Sequence, residues 1–132
     1  MPVVDASVLV ELLSDGPQKE TVKERLDAEE YALWAPYLVD AEVGHALRRW
    51  VRAGKLTAEA GGRALWEVGD LPLERVEHEH LIHVAWGLRD NFSFYDGLYV
   101  ALALMLDEPL LTFDAHLSRS GIDLPIEVLG QA

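Results

Sequence analysis

Short apolar runs set apart by helix-length stretches constrain this chain more than any other feature. Val3-Val4, Ala32-Leu33-Trp34, Pro72 to Val76, Pro109 to Phe113 and Ile126-Glu127-Val128 read as strands. Helical segments fall between them: about Ala6 to Leu13, Pro17 to Ala28, Pro36 to Ala53, a Thr57-capped helix to Gly69, Glu79 to Arg89, Phe94 to Leu106, and a short turn from Ala115. Turn signals stand at Asp15-Gly16-Pro17, near Gly54, at Asp107-Glu108-Pro109 and at Gly121. A strand followed by a helical crossover pairs in parallel with the next. The expected fold is therefore α/β: a three-layer sandwich with a mainly parallel central sheet flanked by helices. At 132 residues, with half of them hydrophobic, positions 1–132 form one domain with a core of its own.

Composition removes several classes. There is no cysteine, so neither a disulfide framework nor a thiolate metal site is available. The opening MPVVDASVLVELL lacks a basic region and carries Asp5 and Glu11, unlike a signal peptide. The apolar runs are too short to cross a bilayer, and a cytoplasmic protein with no membrane partner is expected. The net charge is −12, the reverse of the basic footprint of most nucleic-acid binders. The charge is uneven, however. From Glu42 to Arg63, Arg48, Arg49, Arg52, Lys55 and Arg63 face two acidic residues, net +3, which leaves −15 for the remainder. Contact with RNA would have to be local, and the acidic remainder suits a basic protein partner.

Four acidic positions carry the chemistry. Asp5 directly follows the first strand and Asp114 closely follows the Leu110-Leu111-Thr112 strand. In a parallel sheet, both places border the crevice where ligands bind, and both also suit a helix N-cap. Asp96 is the only charged residue in NFSFYDGLYVALALML, a segment apolar nearly all round that is expected to be buried. A buried lone carboxylate needs a partner or a metal. On the long third helix, Glu42 and Asp40 flank opposite edges of the Val39, Val43, Ala46, Leu47, Trp50 stripe, and helical geometry leaves open which faces the site. An all-oxygen cluster of this kind suits Mg²⁺, with Mn²⁺ as the alternative. The matching chemistry is phosphodiester hydrolysis.

VVDASVLVELL at 3–13, PYLVDAEVGHALRR at 36–49, FSFYDGLYVALA at 92–103 and LLTFDAHL at 110–117 resemble, in order and spacing, the four signature blocks of PIN domains, and more closely those of the VapC toxins. The resemblance covers nearly the whole chain. It implies a PIN-like fold and a Mg²⁺-dependent endoribonuclease with one or two ions. It further implies an RNA substrate, a homodimer, and silencing by a cognate antitoxin protein. It makes Asp5, Glu42, Asp96 and Asp114 the catalytic and metal-binding quartet, choosing Glu42 over Asp40. Ser7 and Ser93 match supporting polar positions near the metal, with helix capping as their other role. His116 falls where a further polar group often assists. Arg48, Arg49 and Arg52, following Glu42 on its helix, are candidate RNA contacts, or else a solvated cationic helix end.

Three other readings compete. Glu77-His78-Glu79-His80 with His83 could form a histidine metal site. A receiver-type signalling domain also gathers acids at strand ends, but similar domains place a lysine after a late strand, and here Lys19, Lys23 and Lys55 all lie in the first half. A catalytically silent, protein-binding α/β domain would have no reason to keep the four carboxylates.

Overall fold

A computed structural model describes residues 1–119 and 123–130. The chain runs β1 (Val3–Val4), α1 (Ala6–Leu13), α2 (Lys19–Asp27), β2 (Leu33–Pro36), α3 (Leu38–Arg52), α4 (Ala58–Val68) and β3 (Leu73–Val76). It continues through a 3₁₀ turn (His78–His80) to α5 (Ile82–Gly87), α6 (Phe94–Leu106), β4 (Leu110–Thr112), α7 (Ala115–Ser118) and β5 (Ile126–Val128). The strands form one sheet in the order β3-β2-β1-β4-β5. Every pairing is parallel, with Val3 opposite Leu110 and Val4 opposite Leu111 at the centre.

This order explains the layers. The chain first steps outward from β1 to β2 to β3, then returns to place β4 on the other side of β1. Right-handed crossovers put helices of the first leg on one face and those of the return leg on the other. In agreement, α1 packs against α2, α3 and α4, while α6 lies along β1, β2 and β4 with α5 against it. Val3, Val4, Leu110 and Leu111 are fully buried between these layers, together with Val8 and Leu9 from α1. They read as continuous apolar runs because both faces of a parallel sheet are covered.

Two boundaries and one burial differ from the sequence expectation. Pro36 closes β2 opposite Val76 instead of opening the helix. The Tyr37 amide donates to the Val76 carbonyl, so the neighbouring Pro36 nitrogen lies on the β1 side, at the end of that short strand, where no donor is needed. The segment expected as one helix from Glu79 to Arg89 is split into the 3₁₀ turn and α5. His78 Nε2 accepts the Leu38 N–H at 2.9 Å, which pins this turn to the first turn of α3. The helix holding Asp96 is buried over 97–103 but not throughout: Phe94 and Tyr95 at its start are 40% and 61% exposed. Asp96 is accordingly half-buried, where full burial was expected. The turn signal at Gly121 lies outside the described residues.

Gly54, at φ 74°, supplies the left-handed residue that ends the long third helix. Arg75 on β3 holds Asp40 on α3 through two bonds, Nε to Oδ2 at 2.7 Å and Nη2 to Oδ1 at 2.8 Å. This pair fastens α3 to the sheet edge.

Leu111 is wholly buried at the centre of the sheet. Leu111→Ala should cost about 2–5 kcal/mol. Urea unfolding should show a lower midpoint with an unchanged slope.

Candidate active site

Between β1 and β4 the strand order reverses: the connection from β1 leads to β2 on one side, and that from β4 leads to β5 on the other. Such a switch point opens a crevice at the carboxyl ends of its two strands. Asp5 and Asp114 stand there, Asp5 as the N-cap of α1 and Asp114 as the N-cap of α7. Capping and a place in the crevice are thus the same position for these two residues.

One hydrogen-bond knot joins them. The Asp5 carboxylate accepts from the Ser7 amide at 3.0 Å and the Ser7 hydroxyl at 2.6 Å, and its other oxygen accepts from the Thr112 hydroxyl. Thr112 Oγ1 in turn accepts the Asp114 N–H, and Ser7 Oγ accepts the Phe113 N–H, both at 3.0 Å. Asp114 Oδ1 accepts the His116 N–H at 2.9 Å. Ser93 caps α6 by accepting the Asp96 N–H at 3.1 Å.

An open cleft of about 210 Å³ is lined by Asp5, Ser7, Glu42, Asp96 and Asp114. Ala6 and Ala46 complete its apolar walls, and His45, Arg49 and Tyr99 contribute further polar groups. The four expected carboxylates therefore meet. Asp40 is turned away into its pair with Arg75, which separates it from Glu42 on physical grounds. Of the three candidate arginines only Arg49 lines the cleft; Arg48 and Arg52 are exposed on α3 outside it. Ser93 acts on the helix that carries Asp96 and does not line the cleft. The His116 side chain is exposed, and its backbone N–H is what serves Asp114. The sequence reading passed over His45, Tyr99 and Thr112. Each had a positional signal: His45 and Tyr99 lie one helical turn beyond Glu42 and Asp96, and Thr112 lies two residues before Asp114.

The electrostatics are those of a site short of positive charge. Burial pushes the Asp5 carboxyl up to about 6, against the opposing pull of its Ser7 and Thr112 donors. Burial also raises Asp96, with Ser93 working against it and the charge of Asp114 adding to it. Burial and the neighbouring Glu42 carboxylate hold the Tyr99 phenol protonated. Among the described residues none of the four carboxylates forms an ion pair. Four clustered oxygen donors with no ion-pair partner among the described residues fit a hard divalent ion, Mg²⁺ or Mn²⁺.

The rival histidine cluster is assembled only in part. His78 is spent on capping α3. Glu77, Glu79 and His80 do bring ligand atoms within 4.8 Å of one another, all on exposed residues, and could bind a divalent cation at the surface.

Carboxylates gathered without a cation repel one another in the folded state only, so removing one should relieve strain when metal is absent. In EDTA, Asp96→Asn should melt at or above wild type, because it keeps the side-chain shape. Millimolar Mg²⁺ should reverse the order by stabilising the wild-type fold. Thermal melting of both proteins in both buffers checks this.

Comparison with known proteins adds an independent line. Residues 3–122 match the PIN domain family. Ribonuclease VapC1 of Mycobacterium tuberculosis is 43% identical over 127 residues, covering 96% of this chain and 94% of that protein. Two solved structures share the fold. VapC20 of Mycobacterium tuberculosis, described as a sarcin-ricin loop cleaving toxin, superposes with a TM-score of 0.68 at 21% identity, covering 93% of this chain and 97% of that one. A toxin–antitoxin complex from Klebsiella pneumoniae gives 0.70 at 15% identity, with 97% of each chain covered.

Proposed function

The chain belongs to the PIN domain family, and we propose that it is a divalent-metal-dependent endoribonuclease, the toxin of a toxin–antitoxin pair. The observation that carries this reading is the convergence of Asp5, Glu42, Asp96 and Asp114 on one cleft, none of them in an ion pair among the described residues. The 43% identity to a ribonuclease along almost the full length supports RNA as the substrate. A homodimer acting in the cytoplasm and held inactive by a cognate antitoxin belongs to the same reading. The acidic remainder of the surface suits a basic antitoxin. No helix among the described residues is long and apolar enough to cross a membrane.

In this mechanism the four carboxylates would hold Mg²⁺ or Mn²⁺, which supplies an activated water and charge stabilisation at the scissile phosphate. The chain's own contribution is orientation. Ser7 and Thr112 lock both oxygens of Asp5, and the same hydroxyls fix the backbone of Phe113 and Asp114. Ser93 sets the first turn of α6 and with it Asp96. Arg49 places one cation at the cleft, where an RNA phosphate would meet it. His45, from the same face of α3, offers a further hydrogen-bonding group to the substrate.

Asp5→Asn and Asp96→Asn should each lower RNA cleavage by more than the roughly 10- to 100-fold typical of losing an outer metal partner. Asp40→Asn should melt earlier yet cleave at a near-normal rate. Near-normal cleavage by Asp96→Asn would overturn the proposal. For substrate contact, Arg49→Gln should reduce the salt slope of RNA binding by about 1, and Arg48→Gln should change it less. Equal slopes for the two variants would place RNA away from the cleft.

A further inference from the structure

Tyr99 is 2% exposed, yet its hydroxyl has no hydrogen bond of regular geometry. It is the one buried side-chain polar atom left in this condition among the described residues. Burying such a group without a partner costs free energy, and a phenylalanine would fill the same apolar space at no such cost. The residue lies on α6 one turn after Asp96, and it lines the cleft with the four carboxylates.

Two of the other carboxylates are already held, Asp5 by Ser7 and Thr112 and Asp114 by the His116 amide, while Ser93 fixes the backbone that carries Asp96. Glu42 sits on the longest of the four side chains, and among the described residues no donor other than Tyr99 reaches it. The phenol and the Glu42 carboxylate line the same cleft, and the charge of Glu42 adds to burial in keeping the phenol protonated. Protonated, the phenol has one hydrogen to give. Each is the other's missing partner: a carboxylate without a donor, and a donor without an acceptor.

We propose that Tyr99 is the positioning residue for Glu42, its buried hydroxyl donating to the carboxylate and aiming it at the cation site shared with Asp5, Asp96 and Asp114. The inference rests on the metal-site reading above and assigns within it a role to a residue that otherwise passes as core. Tyr99 itself ligates nothing; it limits the arrangements Glu42 can take, so that less order has to be imposed on cation binding.

The test uses Tyr99→Phe and Mn²⁺ alone, followed by titration calorimetry and by melting in EDTA. Tyr99→Phe should melt in EDTA close to wild type, since the ring stays in place and only one imperfect hydrogen bond is lost. Its Mn²⁺ affinity should fall by roughly tenfold or more, as for other outer-sphere partners of metal ligands. In a Glu42→Gln background the same change should lose most of its effect, because the hydroxyl acts through that carboxylate. Equal Mn²⁺ affinity for Tyr99→Phe and wild type, with binding lost in Asp5→Asn, would overturn the inference and leave the metal site standing. A wild-type protein that binds no Mn²⁺ would overturn both. Melting of Tyr99→Phe well below wild type in EDTA, or a full effect without Glu42, would make the hydroxyl structural and overturn the inference.

Discussion

The structure turns on the parallel pairing of β1 with β4. Each strand is very short, two and three residues, and backbone bonds alone would hold them weakly. The Thr112 hydroxyl reinforces the joint just where the ladder ends. It donates to Asp5 at the end of β1 and accepts from Asp114 beyond its own strand. Thr112 is fully buried, and both its donor and its acceptor capacity are used. The same bonds close the sheet and set the spacing of two carboxylates. Structure and candidate site cannot be altered separately there.

Gathering four negative side chains is unfavourable, and the fold offsets part of the cost through its helices. Asp5 and Asp114 cap α1 and α7, and Asp96 lies in the first turn of α6. Three helix N-termini, each with unpaired N–H groups and a partial positive charge, are thus directed at the crevice. Glu42 is the exception: it sits a full turn into α3 and gains nothing from that helix's N-terminus. It is the carboxylate whose position depends most on neighbouring side chains. The Arg75–Asp40 pair ties the helix on which Glu42 rides to the sheet edge and so adds to stability.

Much of this was legible in the sequence. Alternating elements implied a parallel α/β sheet, and the observed sheet is parallel throughout. Strand-end aspartates pointed to a crevice because that rule depends only on topology. What escaped depended on contacts distant along the chain. Their helix alone could not separate Asp40 from Glu42, because both flank its apolar stripe; the resemblance chose Glu42, and the contact that takes up Asp40, Arg75, lies 35 positions later. The split of the 79–89 helix follows from His78 reaching back 40 residues to Leu38. Tyr99 looks like one more core aromatic in an apolar run, and only an unpaired oxygen in three dimensions marks it out. The opposite error arose at Asp96. An apolar composition implied full burial, whereas the first turn of a helix at a crevice rim is half open.

The separation of Asp5 from Thr112, 107 residues along the chain, also bears on biosynthesis. Domains tend to organise from the N-terminal end as the ribosome elongates them, at about 5–20 residues per second. Here the first strand has its central neighbour more than a hundred positions later, at Leu110 and Leu111. Until β4 emerges, Val3 and Val4 have no partner on that side, and Asp5 has lost one of its two locking hydroxyls. A truncated or still-growing chain can build the α1–α4 layer but not the crevice. Any hydrolytic capacity therefore has to wait until Thr112 has been made, and a product cut short before it would be inert by construction.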